Sequence, residues 1–234
     1  EKEEWATYVH LEDSYDVSSK RYEQYHALGK PVFLGEDRYE HDHPDTLDPR
    51  DMRYFQRRLF WAWLFSGGSA NYGSRWCVVH PYTQAGQRPA PSTHHKGFTF
   101  TAPLTGLDSV RFIRDYFAKR KIELSDFEPD HGLARDLDDA PAPRAPKLMR
   151  RGHEEFLIYH PNAAADGRDA TVDAGRAARV RLNLKAATGS FRVEWYRAED
   201  GQTQDGGTVE AADDRDLTSP WKRADVVVRL VEQK

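Results

Sequence analysis

Up to residue 119, the chain alternates between short apolar runs and longer stretches whose apolar residues recur at helical spacing. The apolar runs predict strands at 5–11, 30–35 and 69–73. The longer stretches predict helices at 18–28, 49–65 and 108–119. Strict alternation of strand and helix predicts a parallel sheet with crossover helices. Three such units would form only part of a closed eight-stranded barrel.

Beyond residue 150 the pattern changes to short β-type runs that are separated by turns rich in Gly and Asp. These runs are 155–160, 178–184, 191–197, 208–211 and 224–231. Short strands with frequent turn signals predict an antiparallel β-sandwich. Polar and apolar residues alternate within 179–184, so that strand should bury one face and expose the other.

The two patterns meet at 137–150, where Pro and Ala dominate and no period holds, as is typical of a linker. We therefore predict a fold of the class α/β plus all-β. Residues 1–136 would form a portion of a (β/α)8 barrel, 137–150 the linker, and 151–234 the β-sandwich. Asp108 would cap the third helix, and Pro49 would occupy the first turn of the second.

Composition narrows the classes of function. The net charge is -4 and the pI about 6.2, so there is no basic field that would attract nucleic acid. No apolar segment is long enough to span a bilayer. Aromatic residues make up 12% of the chain, and such rings suit partly polar ligands such as sugars. Cys77 is the only cysteine, so no intrachain disulfide can form, and we expect its side chain to be buried.

Glu36 is the strongest candidate for catalysis. It directly follows the predicted buried strand 30–35, and barrel enzymes assemble their active sites at the carboxyl ends of such strands. Glycoside hydrolysis uses two carboxylic groups that flank the scissile bond. The alternative is a solvated or ion-paired glutamate in a loop.

Two motifs resemble those of a known group of enzymes. The segment 30–40, KPVFLGEDRYE, resembles the seventh-strand motif of clan A glycoside hydrolases, in particular the apiosidase-like catalytic domain family. The segment 67–73, GGSANYG, together with Trp76, is similar to their eighth strand. The resemblance implies that strands six to eight of the barrel are present. It also implies a retaining glycosidase in which Glu36 is the nucleophile.

The resemblance extends to the second half of the chain. Glu194-Trp195-Tyr196 before an Asp-Gly turn, and a Val-rich strand after Trp221, resemble the β-domain of the collagen-binding type that follows these barrels. Such a domain could also serve only to brace the barrel.

The resemblance further implies a set of substrate contacts. His10 matches a position that supports the nucleophile by hydrogen bonding, although it could be an ordinary histidine of a strand. Tyr72 and Trp76 would lie on the rim, where they could stack on a sugar ring or simply pack in a loop. Arg38 and Tyr39 are polar groups close to Glu36 in sequence, as is Glu40, which could equally be a surface charge.

One departure from the family pattern has consequences for the partners. The general acid of this clan lies in an Asn-Glu pair after the fourth strand, and the chain contains no Asn-Glu dipeptide. We therefore expect the acid/base to lie outside this chain. The missing N-terminal part of the barrel would come from upstream sequence or from another chain. The competing interpretation is a non-catalytic glycan- or matrix-binding protein built on a degenerate barrel. A polysaccharide substrate favours a secreted or periplasmic location.

Other chemistries are not predicted. His41, Asp42, His43 and Asp45 contain metal-binding residue types, but the loop offers no clear third and fourth ligand, so we predict no metal and no cofactor. No Gly-x-Ser-x-Gly nucleophile elbow and no phosphate-binding Gly-Lys-Ser loop occurs.

Overall fold

The computed structural model describes residues 5–12, 17–35, 49–72 and 105–233. A parallel sheet is formed by β1 (Val9–Leu11), β2 (Val32–Leu34) and β3 (Ser69–Ala70), in the order β1-β2-β3. The strand that precedes Glu36 is thus the middle strand of this sheet. The three strands predicted in the first half of the chain are confirmed, although each is shorter than its apolar run.

A helix follows each parallel strand: α1 (Lys20–His26), α2 (Met52–Phe65) and α3 (Thr105–Arg120). Two predicted helix starts are wrong by a few residues. Asp51 caps α2, because its Oδ1 accepts a hydrogen bond of 3.0 Å from Tyr54 N, and Pro49 lies before the helix. Asp108 lies inside the first turn of α3, where the helix dipole also favours a carboxylate. Gly67, with φ +84°, ends α2 as predicted.

Two antiparallel sheets make up the rest of the molecule. The larger has six strands in the order β10-β9-β12-β7-β6-β4, and the smaller has three in the order β11-β8-β5. Their bounds are β4 Glu128–Pro129, β5 Ala134–Asp136, β6 Lys147–Arg151, β7 Glu155–His160, β8 Ala177–Asn183, β9 Ser190–Arg197, β10 Thr203–Glu210, β11 Asp214–Lys222 and β12 Val226–Glu232. Strand pairing therefore begins before the predicted boundary near residue 150, and β6 starts inside the predicted linker.

The two antiparallel sheets enclose a core to which both contribute. Phe156, Phe191 and Val228 come from the larger sheet, and Val180 and Leu182 come from the smaller; all five are fully buried. In β8, residues alternate between buried and more exposed positions, as the sequence predicts for a strand with one wet face.

A second core covers the opposite face of the larger sheet. Trp61 of α2 is fully buried there; its ring stacks on Tyr159 of β7 at 5.8 Å and meets Tyr116 of α3 edge-on at 5.4 Å. Every residue of β7 is buried because both of its faces are covered. The helices α2 and α3 therefore pack directly on the larger antiparallel sheet. None of the helices in the described part of the chain has the length and apolarity of a membrane span.

Candidate active site at the ends of the parallel strands

The carboxyl ends of the three parallel strands lie side by side. Gly35 N donates a hydrogen bond of 3.1 Å to Leu11 O, and Asn71 N donates one of 3.0 Å to Leu34 O. Pairing thus continues to the last residue before Glu36 in the sequence. Glu36 itself lies outside the described residues, as do Arg38, Tyr39 and Trp76.

His10 lies against this end of the sheet. A Cβ atom placed on Gly35 would be 1.8 Å from His10 Nε2 and 2.2 Å from Cδ2, so the imidazole occupies the space that any larger residue at position 35 would need. The ring also stacks on Phe33 at 5.9 Å, since the two residues are paired across β1 and β2. The structure therefore brings His10 to the residue that precedes Glu36. The glycine in the sequence FLGE is the signal for this close approach.

Tyr72 has a different environment. Its side chain is half-buried and packs against the aromatic core formed by α2, α3 and the larger sheet. This environment agrees with the packing alternative for Tyr72. Its role in sugar stacking stays a prediction.

A buried ion pair holds α2 against the larger sheet. Arg57 donates two hydrogen bonds of 2.8 Å to the carboxylate of Asp225, and both side chains are buried. Tyr159 Oη donates to the same carboxylate at 3.2 Å. Burial by itself lowers the pKa of Arg57, but the carboxylate of Asp225 raises it above its ordinary value, so the guanidinium stays charged. Sequence reasoning missed this pair because its members are far apart in the chain.

A second polar cluster joins α1 and α2 to β6. His131 Nε2 lies 3.2 Å from Ser66 Oγ, and the hydroxyls of Ser66 and Ser19 are 2.5 Å apart. Burial, together with the positive charge of Lys147, lowers the pKa of His131 to about 4. Ser66 is fully buried and cannot meet a substrate, so this serine–histidine contact serves stability.

The described residues contain no group of three or more His, Cys, Asp or Glu side chains that could hold a metal ion. The loop with His41, Asp42, His43 and Asp45 lies outside them, as do Glu40 and Cys77.

The fold has counterparts among solved structures. Neither a protein-family model nor a curated protein matches the chain. A glycoside hydrolase family 5 protein from Bacteroides vulgatus ATCC 8482 is similar with a TM-score of 0.68 and 17% identity, over 98% of this chain and 51% of that one. Another structure described as a glycoside hydrolase has a TM-score of 0.60 and 16% identity, over 87% and 43%. The chain thus has a fold found in glycoside hydrolases and spans about half their length.

Proposed function

We propose that this chain carries the nucleophile of a retaining glycoside hydrolase, and that the nucleophile is Glu36. The observation that supports this best is that Gly35, the residue before Glu36 in the sequence, lies at the carboxyl end of the middle parallel strand. That strand belongs to a fold found in glycoside hydrolases. The family resemblance of KPVFLGEDRYE assigns the same role to the same residue.

In the proposed reaction, the Glu36 carboxylate attacks the anomeric carbon of the sugar. A second carboxylic acid protonates the departing glycosidic oxygen, so the C–O bond breaks as the glycosyl–enzyme bond forms. That second group then takes a proton from water, whose oxygen releases the sugar from Glu36. The acid/base comes from outside these 234 residues, since the chain has no Asn-Glu pair.

The rest of the barrel would complete the parallel sheet. Among the described residues, β1 and β3 each pair with β2 alone, so the outer edges of both are open. Trp5 and Tyr8, just before β1, are 81% and 57% exposed. Unpaired edges and exposed aromatic rings are features that proteins normally cover. We propose that upstream sequence or another chain supplies the missing strands and the acid.

The proposed substrate contacts come from the ends of the three parallel strands and from the sequence that follows them. His10, which lies against Gly35, would support the nucleophile by hydrogen bonding. Arg38 and Tyr39 would bind sugar hydroxyls, and Tyr72 and Trp76 would contribute aromatic surface. We propose a secreted or periplasmic location for the protein, because the proposed substrate is a polysaccharide outside the cytoplasm.

The test is Glu36→Gln in the protein that contains the whole barrel. Loss of a covalent nucleophile should lower hydrolysis by about 10⁴-fold. Glu199→Gln, an exposed position on the antiparallel side, is the matched control and should retain full turnover. A fluorinated glycoside that releases the enzyme slowly should label the Glu36 peptide in mass spectrometry. Normal turnover of Glu36→Gln would exclude this assignment.

The non-catalytic alternative rests on the absence of an Asn-Glu pair. It predicts that the protein with the whole barrel binds a glycan and does not cleave it. Glycan binding without product formation, under conditions in which the fluorinated glycoside also leaves no label, would decide in its favour.

A further inference from the structure

A cavity outside the candidate active site lies between α3 and the hairpin of β9 and β10. Its volume is about 400 Å³, and its walls include Phe112, Lys119 and Arg120 of α3 with Tyr196 and Thr203 of the hairpin. This volume is in the range of small-molecule sites.

Arg120 is fixed in the wall of this cavity. Its Nε donates a hydrogen bond of 2.5 Å to Glu194 Oε1, and its Nη1 donates one of 3.2 Å to Tyr116 O. The guanidinium also lies over the rings of Tyr116, at 4.2 Å, and Tyr196, at 5.2 Å. The side chain is only 10% exposed, yet Nη2 has no hydrogen-bond partner among the described residues. A rigid guanidinium with a free N–H donor is prepared to bind an anionic oxygen.

The hairpin wall is equally rigid. Tyr196 Oη donates a hydrogen bond of 2.8 Å to Phe112 O, which ties the hairpin to α3. Gly201 forms the turn with φ +75°, and a Cβ atom there would lie 3.1 Å from Phe112 Cδ1 and 3.2 Å from Tyr196 Oη. A glycine at this position keeps the turn close to α3 without filling the cavity.

One cation at the cavity, Lys119, has no direct ion pair among the described residues, although its charge acts on Asp115 at longer range. Asp115 and Asp200 also line it, but each carboxylate is bound by a neighbouring arginine, Arg114 or Arg197. Lys119 is exposed and makes no hydrogen bond or ion pair within the described part of the chain. The ammonium of Lys119 and the free Nη2 of Arg120 therefore favour a ligand with a negative group.

We propose that this cavity binds a uronic acid unit of a polysaccharide. The sugar carboxylate pairs with Lys119 and Arg120 Nη2, and the ring hydroxyls bind the carboxylate of Asp115 and the hydroxyl of Thr203. The charge pattern selects the anion. The choice of a sugar rests on the proposed glycosidase function. For that function, the cavity would bind a unit of the polymer that is distant from the bond to be cleaved.

The test is calorimetric titration of the protein with a digalacturonate, compared with the uncharged digalactose and with acetate. We expect the digalacturonate to bind more tightly than either, and Lys119→Gln to weaken it about tenfold, which is the value of one charge-assisted hydrogen bond. Lys121→Gln removes the same charge two residues away, outside the cavity wall, and should leave binding unchanged. Added salt should weaken binding by the wild type more than by Lys119→Gln.

Three outcomes would overturn the proposal: no binding of digalacturonate, equal binding of digalactose or acetate, or no effect of Lys119→Gln. The Glu36→Gln variant separates this site from the proposed catalysis. It should bind digalacturonate like the wild type while it loses hydrolysis. If it keeps both, the catalytic assignment fails and the uronate site stands. If hydrolysis is lost as expected but no digalacturonate binds at the cavity, the reverse holds.

Discussion

The parallel sheet and the antiparallel sheets differ in how much of their structure is self-supporting. The parallel strands have two or three residues each, and the outer edges of β1 and β3 are open within the described residues. The antiparallel strands reach nine residues, and β12 is paired along its length on both sides. The region proposed to hold the chemistry thus has the weaker sheet. Its position depends on helices that are anchored elsewhere.

The anchor is the face where α2 and α3 lie on the larger sheet. Trp61 fills this face, and the ion pair of Arg57 with Asp225 crosses it. The core between the two antiparallel sheets is built from apolar side chains, and a buried contact of 2.8 Å between Asp136 Oδ2 of β5 and His160 Nε2 of β7 also links these two sheets. The comparison therefore predicts a difference in stability. Loss of one charge at the anchoring face should lower the free energy of unfolding more than loss of one charge from an exposed ion pair of the antiparallel sheets.

The largest effect is expected from Asp225→Asn. It leaves the buried guanidinium of Arg57 without a counter-charge, which should lower the free energy of unfolding by about 3–5 kcal/mol in urea denaturation. The matched control is Asp216→Asn, whose partner Arg181 is on the exposed face of the smaller sheet, and it should cost less than about 1 kcal/mol. Replacement of both partners, Arg57→Met with Asp225→Leu, should restore most of the loss. If Asp225→Asn and Asp216→Asn lower the free energy of unfolding by similar amounts, the buried pair does not stabilise the contact between α2 and the larger sheet.

Two matched cavity-creating substitutions test whether the cores on the two faces of the larger sheet respond separately. Leu157 points to the helices and Leu182 to the core between the sheets, and both are fully buried. Each change to Ala should cost about 2–5 kcal/mol in urea denaturation. Under native conditions, hydrogen exchange of the α2 amides should rise through local opening in Leu157→Ala only. Equal local opening of α2 in both variants would mean that the faces do not act separately.

The pH dependence of stability should also differ between the two regions. His131, which joins α1 and α2 to β6, has a folded pKa of about 4, below its ordinary 6.5. The unfolded chain therefore binds a proton that the folded chain does not, and the stabilisation is complete above pH 6.5 and lost as pH falls towards 4. The loss is about 3 kcal/mol. The measurement is urea denaturation at several pH values, and His131→Gln should remove this slope.

Asp136 of the smaller sheet provides the contrast within the same experiment. Burial raises the pKa of Asp136, but the contact with His160 and the charge of Arg176 outweigh it and lower the pKa to about 2. Its contribution is complete above pH 3.8 and is lost below that value. The slope between pH 6.5 and 4 should therefore persist in Asp136→Asn. If the slope disappears in Asp136→Asn, the titrating group belongs to the smaller sheet and not to the cluster around His131.

The regions also differ in how much the sequence revealed. The predicted strand 155–160 matches β7, because a strand covered on both faces shows a continuous apolar run. The strand β11 was missed, since most of its residues are polar and Leu217 and Ser219 alone are buried along its length. The ion pair of Arg57 with Asp225 could not be predicted, because nothing near Arg57 in the sequence indicates Asp225 as its partner. The assignment of Glu36 rests on its place after an apolar run and stays a prediction, and the structure adds that His10 lies against Gly35.

The smallest effect is expected at the candidate site itself. A Cβ atom on Gly35 would overlap His10 Nε2, but this is the far end of an exposed side chain that can move, so Gly35→Ala should cost about 1 kcal/mol. In the antiparallel region, a Cβ atom on Gly206 would lie 2.7 Å from Val193 Cγ1 and 2.8 Å from Trp195 Nε1, and both of those side chains are buried. Gly206→Ala should therefore cost about 3 kcal/mol.

The comparison of these two glycines tests how firmly His10 is held. If Gly35→Ala costs as much as Gly206→Ala in urea denaturation, the imidazole cannot move aside. In that case His10→Ala in the Gly35→Ala background should relieve the cost, because the obstacle has been removed. A ring held as firmly as a core side chain, although exposed, would be positioned for the support of Glu36 that we propose. A ring that moves freely would make His10 an ordinary residue of its strand.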